Sequence, residues 1–257
     1  MLLKNLIKNS PQNLKRLKIK GLALNSQKVK KGFIFFALKG NKSNGENYIN
    51  KAIKNGAILV ICKKKCKFQS SKIDILKVNN VRSLLTDITN RYYKIKPKNI
   101  IAVTGTNGKT STVEFLRQLW ERNTWNAVSL GTLGARSSTV LKVPSSSLTT
   151  PSSEYFFSAL NSFSKQNISY LAIEASSHGL EQQRMNGLKV QVAVFTNLSR
   201  DHLDYHSNMD AYFESKQKLF LDYLADGGHA VINIDDPYGK KLLENVRKQP
   251  VSIVTFG

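Results

Sequence analysis

The sequence predicts an α/β fold, with a small N-terminal α/β domain followed by a larger domain built on a mostly parallel sheet. In the larger part, apolar runs alternate regularly with amphipathic stretches. This alternation is typical of strands and crossover helices along a parallel sheet. Several of the runs are continuously apolar, as in strands that are buried on both faces. A glycine-rich turn also joins one apolar run to the start of an amphipathic stretch.

Charge divides the chain near residue 97. Residues 1–100 carry 24 lysines and arginines against 3 acids, whereas residues 101–257 carry 15 against 14. The change coincides with Pro97, so we place the domain boundary between residues 97 and 98. Such asymmetry can indicate a polyanionic partner. The basic residues are mostly scattered lysines without an aromatic-rich recognition motif, which favours a compositional origin over a nucleic-acid surface.

The first domain, residues 1–97, mixes short elements. Its apolar runs predict strands at residues 33–38, 57–62 and 75–78. A helix over residues 46–55 ends at Gly56, a residue that is typical of the position after a helix. A second helix begins at Asn80 and runs to about residue 93.

The second domain, residues 98–257, alternates strands and helices. Its predicted strands are residues 100–104, 127–130, 170–173, 190–195, 229–233 and 251–255. Its predicted helices are residues 109–122, 152–165, 208–224 and 237–247. The last predicted strand comes directly before the end of the sequence, so we expect the domain to be truncated there.

Composition excludes several classes of protein. No apolar run approaches the roughly 20 residues of a membrane-spanning helix. The lysine-interrupted N-terminus does not resemble a signal peptide, so we expect a cytoplasmic protein. Cys62 and Cys66 are the only cysteines. Two thiols without a nearby pair of histidines make a poor zinc site, so we expect free thiols.

The most informative motif is the glycine-rich turn, which reads Gly105-x-x-Gly108-Lys109-Thr110. Glycine lets backbone N–H groups approach a phosphate, and the following helix N-terminus adds partial positive charge. Lys109 is expected to reach the β- and γ-phosphates of a nucleoside triphosphate, and Thr110 to offer a hydroxyl to Mg²⁺. The general phosphate-loop spacing has a further glycine where this chain has Val103, so the motif is a shortened form.

Two further polar clusters follow predicted strands, where open α/β sheets bind their ligands. Glu174 closes one apolar strand, and a bare carboxylate there is costly unless a cation such as Mg²⁺ meets it. Capping of a helix N-terminus is the alternative for this residue. The other cluster, residues 196–206, contains His202 and several ionisable neighbours. So many polar residues directly after a buried strand indicate a functional site.

These motifs resemble those of the Mur ligases and their folylpolyglutamate synthetase relatives. The segment from Thr104 to Thr110 resembles the ATP loop of both groups. Residues 174–184 and 196–206, followed by Tyr212, Lys216 and Phe220, resemble the MurE branch, the UDP-N-acetylmuramoyl-tripeptide synthetases. The resemblance covers nearly the whole chain. It implies a UDP-MurNAc-binding domain over residues 1–97 and a central P-loop-type ATP-binding domain over residues 98–257.

The resemblance implies an ATP-dependent amide ligase of peptidoglycan precursor synthesis. In that family, ATP phosphorylates the free side-chain carboxylate of D-glutamate in UDP-MurNAc-L-Ala-D-Glu, and the amine of a diamino acid attacks the acyl phosphate. We favour meso-2,6-diaminopimelate as the diamino acid, with L-lysine as the alternative. The resemblance thus implies a role in cell-wall biogenesis, cell shape and cell division. We expect a monomer that uses ATP and Mg²⁺, without membrane or nucleic-acid partners.

The resemblance also implies the residues of the site. The candidate catalytic residues are Lys109, Lys216 and His202. The candidate Mg²⁺ ligands are Thr110, Glu174, His202 and Lys216, the last as N6-carboxylysine, because a carbamate turns a cation into an anion; a solvated helix lysine is the alternative. The candidate ATP-binding residues are Thr104, Gly105, Thr106, Asn107, Gly108, Lys109, Thr110, Ser111 and Asn197. The candidate substrate-binding residues are Ser26, Thr149, Thr150, Ser176, Gln182 and Arg184.

The first domain departs from the family pattern. Asn25-Ser26-Gln27 stands where the family has Asp-Ser-Arg, so only Ser26 matches. Because an arginine is replaced there, we expect a nearby lysine, Lys39 or Lys42, to compensate at the diphosphate of the UDP substrate.

Mur ligases also have a C-terminal Rossmann-like domain that selects the incoming amino acid, and we expect this chain to lack it. The chain alone should therefore bind nucleotide and UDP substrate weakly without completing the ligation. Three alternatives remain. They are a folylpolyglutamate synthetase-like ligase, which the separate first domain disfavours, a nucleic-acid-binding P-loop ATPase, and an inactive fragment.

Overall fold

A computed structural model describes residues 1–39, 43–143 and 148–257 as an α/β protein. It divides into two compact units, Met1–Lys94 and Ile95–Gly257, so the division falls close to the predicted boundary between residues 97 and 98. Each unit has a sheet of its own and an apolar core of its own. The predicted α/β class is confirmed.

The first unit is a four-stranded parallel sheet with apolar layers on both faces. Successive residues of a strand point to opposite faces. Ile34 and Phe36 therefore join one core while Phe35 joins the other. The elements are β1 Gly21–Ala23, β2 Phe33–Phe36, α1 Ile49–Lys54, β3 Ala57–Lys63, β4 Asp74–Val78 and α2 Val81–Tyr92, with the strands in the order β1-β2-β3-β4.

The second unit is a seven-stranded sheet flanked by helices. Its strands are β5 Asn99–Thr104, β6 Ala127–Gly131, β7 Gly134–Arg136, β8 Tyr170–Glu174, β9 Val190–Phe195, β10 Leu224–Asn233 and β11 Ser252–Phe256. Its helices are α3 Lys109–Arg122, α4 Ser153–Lys165, α5 Ser177–Glu181, α6 Met209–Lys218 and α7 Pro237–Val246, and a π-helical turn, Leu219–Tyr223, follows α6. The strand order is β11-β10-β9-β5-β8-β6-β7, parallel except for the β6–β7 pair.

The strand order brings the three polar segments of the sequence together. β5 lies between β8 and β9, with Val103 paired with Glu174 and Thr104 paired with Phe195. The glycine loop, the Glu174 segment and the residue 196–206 segment therefore leave the same edge of the sheet from adjacent strands. This edge is the usual position of ligand sites in such sheets.

The observed elements differ from the predicted ones mainly where segments are short or irregular. The strands β1 and β7 and the helix α5 have three to five residues each, too few for a periodic pattern to show. The predicted helix over residues 208–224 changes into the π-helical turn after Lys218. The strand predicted at 229–233 begins earlier, at Leu224, with an irregular register before His229.

The fold bears on two expectations, those about membrane-spanning helices and about the cysteines. Among residues 1–39, 43–143 and 148–257, no helix combines the length and the apolarity that crossing a bilayer requires. Cys62 and Cys66 are free thiols, as predicted, and both are buried in the core around α1.

Candidate active site

The segment that follows β9 is hydrogen-bonded to the glycine loop that follows β5. Gly105 has φ +150°, and a Cβ on it would lie 1.9 Å from Thr196 Oγ1, so only glycine fits there. Thr196 Oγ1 donates to the Asn107 carbonyl oxygen over 2.6 Å. Asn197 accepts the Asn107 backbone N–H on its side-chain oxygen at 2.9 Å and the Thr106 N–H on its carbonyl. Asn197, a predicted ATP-binding residue, therefore supports the loop.

Two lysines converge on one carbonyl oxygen of this loop. Lys109 Nζ donates to the carbonyl oxygens of Gly105 at 2.8 Å and Thr106 at 2.7 Å. Lys216 Nζ, from α6, donates to the same Gly105 oxygen at 2.7 Å and lies 4.5 Å from the centre of the Tyr212 ring. Burial lowers the pKa of both amines, and the charge of Lys109 helps to hold the pKa of Lys216 well below its ordinary value.

Glu174 ends β8 and faces the start of α3. The residue is only 2% exposed. Its Oε2 accepts the Thr110 hydroxyl at 3.0 Å and its Oε1 accepts the Thr132 backbone N–H at 2.9 Å. Gly131 makes room for it, because a Cβ at position 131 would lie 2.0 Å from Oε1. The carboxylate is therefore fixed between the tip of β6 and the first turn of α3.

The donor set around Glu174 fits a magnesium ion. Mg²⁺ prefers oxygen ligands in an octahedral shell, where neighbouring ligand oxygens are roughly 2.9 Å apart. The Thr110 hydroxyl and the Glu174 carboxylate oxygen are 3.0 Å apart. In the described part of the chain, no three His, Cys, Asp or Glu side chains converge on one point. An ion here would therefore take several of its ligands from phosphate and water oxygens, as Mg²⁺ commonly does.

The predicted substrate residues of the second unit form a connected group beside Glu174. Thr150 is buried, donates its hydroxyl to the Glu174 carbonyl oxygen at 2.8 Å and accepts the Ser176 backbone N–H at 2.9 Å. The Arg184 guanidinium donates to the Thr150 carbonyl oxygen and, over 2.9 Å, to the side-chain oxygen of Gln182. Thr150, Gln182 and Arg184 thus support one another and hold the Ser176 segment against β8.

Most of the predicted nucleotide, metal and substrate residues line one cavity of about 250 Å³. Its lining residues are Thr106, Asn107, Gly108, Lys109, Thr110, Ser111, Thr132, Thr149, Glu174, Ser176, Ser177, His202 and Lys216. Other predicted residues of this unit are not among the lining residues of this cavity. They are Thr104, Gly105, Thr150, Gln182, Arg184 and Asn197. The cavity therefore joins the phosphate-loop side to the substrate side.

A cluster of histidine and tyrosine rings stands next to this cavity. His202 has a left-handed backbone, φ +53°, unusual for a residue with a side chain, and its ring centre lies 5.1 Å from that of His178. Tyr205 lies 3.9 Å from His178, and His206 lies 5.0 Å from Tyr212. Burial lowers the pKa values of His178 and His206. The two imidazoles are therefore favoured in the neutral form.

Sequence reasoning did not assign several residues of this site. Thr132 and Gly131 were missed, although the rule that ligands lie at the carboxyl ends of strands applies to β6 as well. His178 and Tyr205 stand within the motifs, but only the fold shows that the ring of His178 lies next to the rings of both His202 and Tyr205.

The first unit carries a separate cavity of about 500 Å³, and among the described residues that line it three are cationic and none is acidic. Ser26 lines it, as do Lys39, Lys51, Arg82 and the ring of Tyr48. The other lining residues are Leu24, Asn25, Gln27, Leu38, Ser43 and Gly45. Lys39 is thus at the wall, whereas Lys42 lies outside the described residues. The charge of the wall suits an anionic ligand.

The fold and the site define a parallel α/β protein with a shortened phosphate loop and a carboxylate on the adjacent strand tip. Residues 103–257 match the Mur ligase middle domain, and residues 18–93 match the catalytic domain of the Mur ligase family. The chain belongs to the Mur ligase family.

Similar proteins agree with this assignment. The chain is 40% identical over 237 residues to a UDP-N-acetylmuramoyl-L-alanyl-D-glutamate–2,6-diaminopimelate ligase of Zymomonas mobilis, covering 92% of this chain and 48% of that protein. It is 40% identical over 254 residues to the ligase of the same name from Rickettsia typhi, covering 97% of this chain and 51% of that protein. The chain therefore spans about half the length of the curated relatives it matches.

Solved structures show the same relationship. A structure of a UDP-N-acetylmuramoyl-L-alanyl-D-glutamate–2,6-diaminopimelate ligase is 30% identical, with a TM-score of 0.83, and covers 99% of this chain and 52% of that one. FolC of E. coli, solved in complex with DHPP and ADP, is 14% identical, with a TM-score of 0.51 over 66% of this chain and 45% of that one, and so shares the fold alone. The resemblance to the MurE branch is confirmed, and the folylpolyglutamate synthetase-like alternative is the more distant one.

Proposed function

We propose that this chain supplies the nucleotide and UDP-substrate sites of an ATP-dependent amide ligase that adds a diamino acid to UDP-MurNAc-L-Ala-D-Glu. The observation that carries the proposal is the cavity in which Lys109, Lys216, Glu174 and Thr149 face one another. Phosphorylation of a carboxylate by ATP brings two anions together, so cations must offset their repulsion. Lys109 would provide positive charge on one side of the cavity, and Thr149 and Ser176 would provide hydroxyls on the other.

On the nucleotide side, the backbone N–H groups of the loop and the N-terminus of α3 would hold the phosphates. Lys109 would exchange its two carbonyl partners for oxygens of the β- and γ-phosphates. Thr110 and Glu174 would hold Mg²⁺, with His202 at the cavity wall as a further candidate ligand. When bound, Mg²⁺ neutralises phosphate charge and favours attack on the γ-phosphorus.

On the substrate side, Thr149 and Ser176 would contact the muramoyl peptide, while Thr150, Gln182 and Arg184 hold these two in place. The D-glutamate carboxylate would enter between this group and the γ-phosphate. Its oxygen attacks phosphorus, ADP leaves, and the resulting acyl phosphate is open to the amine of the diamino acid. The names of the relatives favour 2,6-diaminopimelate as that amino acid.

Lys216 would act as N6-carboxylysine. Its buried amine, with a pKa held well below the ordinary value, favours the neutral form that can attack carbon dioxide. The nitrogen lone pair forms a bond to carbon, a proton leaves, and a carbamate anion results. Such an anion next to Lys109 would attract its ammonium group and could serve as a metal ligand. Intact mass at neutral pH, which preserves a carbamate, tests this modification.

The cavity of the first unit would bind the uridine diphosphate part of the substrate. Lys39, Lys51 and Arg82 supply charge for two phosphates, where the family arginine is replaced by Gln27. The aromatic ring of Tyr48, which is 44% exposed, offers a face for a base.

Calorimetry with the 257-residue chain tests the proposal. We expect ADP to bind more tightly with Mg²⁺ than with EDTA, and UDP-MurNAc-L-Ala-D-Glu to bind independently of the metal. Lys109→Met should abolish measurable ADP binding, whereas Lys240→Met, which changes an exposed lysine on α7, should leave it unchanged. Absence of nucleotide binding by the folded wild-type chain would refute the proposal. A steep loss of DNA affinity with salt would instead favour the nucleic-acid-binding alternative.

A further inference from the structure

Thr132 lies at the tip of β6 and faces the cavity next to Glu174. Its backbone N–H donates to Glu174 Oε1 over 2.9 Å, and its hydroxyl donates to Oε2 over 3.3 Å. Thr132 therefore contacts both oxygens of the carboxylate. Gly131 has no room for a side chain of its own on that side of the carboxylate, so Thr132, which follows β6 directly, makes the hydrogen bonds from this strand end.

The same hydroxyl connects Glu174 to the substrate side. Thr132 Oγ1 and Thr149 Oγ1 are 2.9 Å apart, so one of them donates to the other. A hydroxyl has one hydrogen, and an ionised carboxylate only accepts. When Thr132 donates to Glu174, the hydrogen between the two threonines must come from Thr149. The Thr149 oxygen then offers lone pairs, and no hydrogen, to a ligand in the cavity.

We propose that Thr132 is a positioning residue that holds Glu174 in its metal-binding orientation and makes Thr149 a hydrogen-bond acceptor toward the substrate. The inference rests on the proposed function, because it takes Mg²⁺ and nucleotide to bind at Glu174 and a peptide to bind at Thr149. An acceptor at Thr149 recognises an N–H group, such as an amide of the muramoyl peptide. It disfavours a carboxylate or phosphate oxygen at the same place, because two acceptors would meet there.

The first test concerns the metal. Thr132→Val keeps the shape and the backbone N–H but removes the hydroxyl. The measured quantity is the ratio of the ADP affinity in Mg²⁺ to the ADP affinity in EDTA. We expect Thr132→Val to lower this ratio roughly tenfold, the size of effect that is typical when a residue that orients a metal ligand is removed. Affinity in EDTA should stay within twofold of wild type, and Thr132→Ser should restore the ratio. The matched control is Thr139→Val, because Thr139 is exposed, does not line the cavity, and has a hydroxyl that contacts Ser137.

The second test concerns the direction of the hydrogen bond at Thr149. Wild-type protein should bind UDP-MurNAc-L-Ala-D-Glu more tightly than the analogue in which the D-glutamate amide nitrogen is methylated. Thr149→Val should bring the two affinities within twofold of each other. Thr132→Val should reduce the difference at least threefold, because it frees the Thr149 hydroxyl to donate elsewhere.

The outcomes separate this inference from the proposed function. If the wild-type affinity for ADP does not respond to Mg²⁺, the proposed metal site is wrong. If wild type responds and folded Thr132→Val responds equally, or if Thr149→Val keeps the preference for the N–H ligand, the role assigned to Thr132 is wrong. Thr132→Ala serves in the same assays should the valine variant fail to fold.

Discussion

Gly131→Ala probes the room that β6 leaves for the Glu174 carboxylate. An alanine Cβ would lie 2.0 Å from Glu174 Oε1 and 2.4 Å from its Cδ, well inside ordinary van der Waals contact. The carboxylate or the strand must therefore move by roughly 1 Å or more. Such a shift breaks the hydrogen bonds that Thr132 N–H and the Thr110 hydroxyl donate to the carboxylate, at 2.9 and 3.0 Å.

The expected loss follows from these two bonds. A hydrogen bond to a charged group contributes about 1.5–3 kcal/mol. Loss of both, with partial relaxation, gives about 2–4 kcal/mol, which weakens binding of ADP and Mg²⁺ roughly 30- to 800-fold. Thermal stability should also fall, because Glu174 remains buried with fewer partners. For a unit of this size, each kcal/mol lowers Tm by about 2–4 °C.

Calorimetry with ADP and Mg²⁺, together with a thermal melt, measures both effects of Gly131→Ala. Gly134→Ala is the matched control in the same β6–β7 hairpin. It has φ +79°, and a Cβ there meets nothing within 4 Å, so this variant strains the backbone without touching the carboxylate. If Gly131→Ala binds ADP and Mg²⁺ within threefold of Gly134→Ala, the position of Glu174 does not matter for nucleotide binding, and the reasoning is refuted.

Three further predictions concern the side chains of Lys216, Cys62 and Arg184. Burial lowers the pKa of Lys216 well below 10.5, so below about pH 10.5 the unfolded chain binds more protons at this amine than the folded chain does. Lys216 therefore destabilises the folded state increasingly as the pH falls below about 10.5. Lys216→Met should therefore raise Tm near pH 7 in carbon dioxide-free buffer, with the gain shrinking toward pH 10; a lower Tm would contradict this. Burial raises the pKa of the Cys62 thiol to about 12, so iodoacetamide near pH 8 should label Cys62 only after unfolding in urea, as peptide mapping would show. In Arg184→Lys, the lysine cannot hold both Gln182 and the Thr150 carbonyl as the arginine fork does. Binding of UDP-MurNAc-L-Ala-D-Glu should therefore weaken about tenfold while ADP binding is unchanged. An equal loss of both affinities in calorimetry would count against the role assigned to Arg184.

Much of the fold was predictable because long elements carry strong periodic signals. The predicted ranges 109–122 and 190–195 coincide with α3 and β9. The antiparallel β7 was missed because it has only three residues, and its pairing with β6 depends on the turn between them. The π-helical turn after Lys218 was also missed, since its apolar residues continue the helical pattern and only the backbone shows the change.

The site was predictable to the extent that its residues belong to motifs. Lys109 and Thr110 could be singled out from the glycine-rich turn, and Glu174 because it ends an apolar strand, where such sheets bind ligands. The sequence could not show that Lys216 and Lys109 share the Gly105 carbonyl, because residues 105 and 216 come together only when α6 packs against the loop. The hydrogen bonds of Thr132 to Glu174 join strands that are far apart in the sequence, so its position directly after β6 is the sequence signal that marks it.

The Gly105 carbonyl that Lys109 and Lys216 share affects the ligand selectivity of the loop. Each ammonium group carries three hydrogens, and a neutral carbonyl oxygen is a weaker acceptor for them than a phosphate oxygen. Any polyphosphate can therefore draw Lys109 away from the loop, with or without a nucleoside. Inorganic triphosphate should compete with ADP for this unit, and discrimination in favour of adenine nucleotides must come from contacts elsewhere.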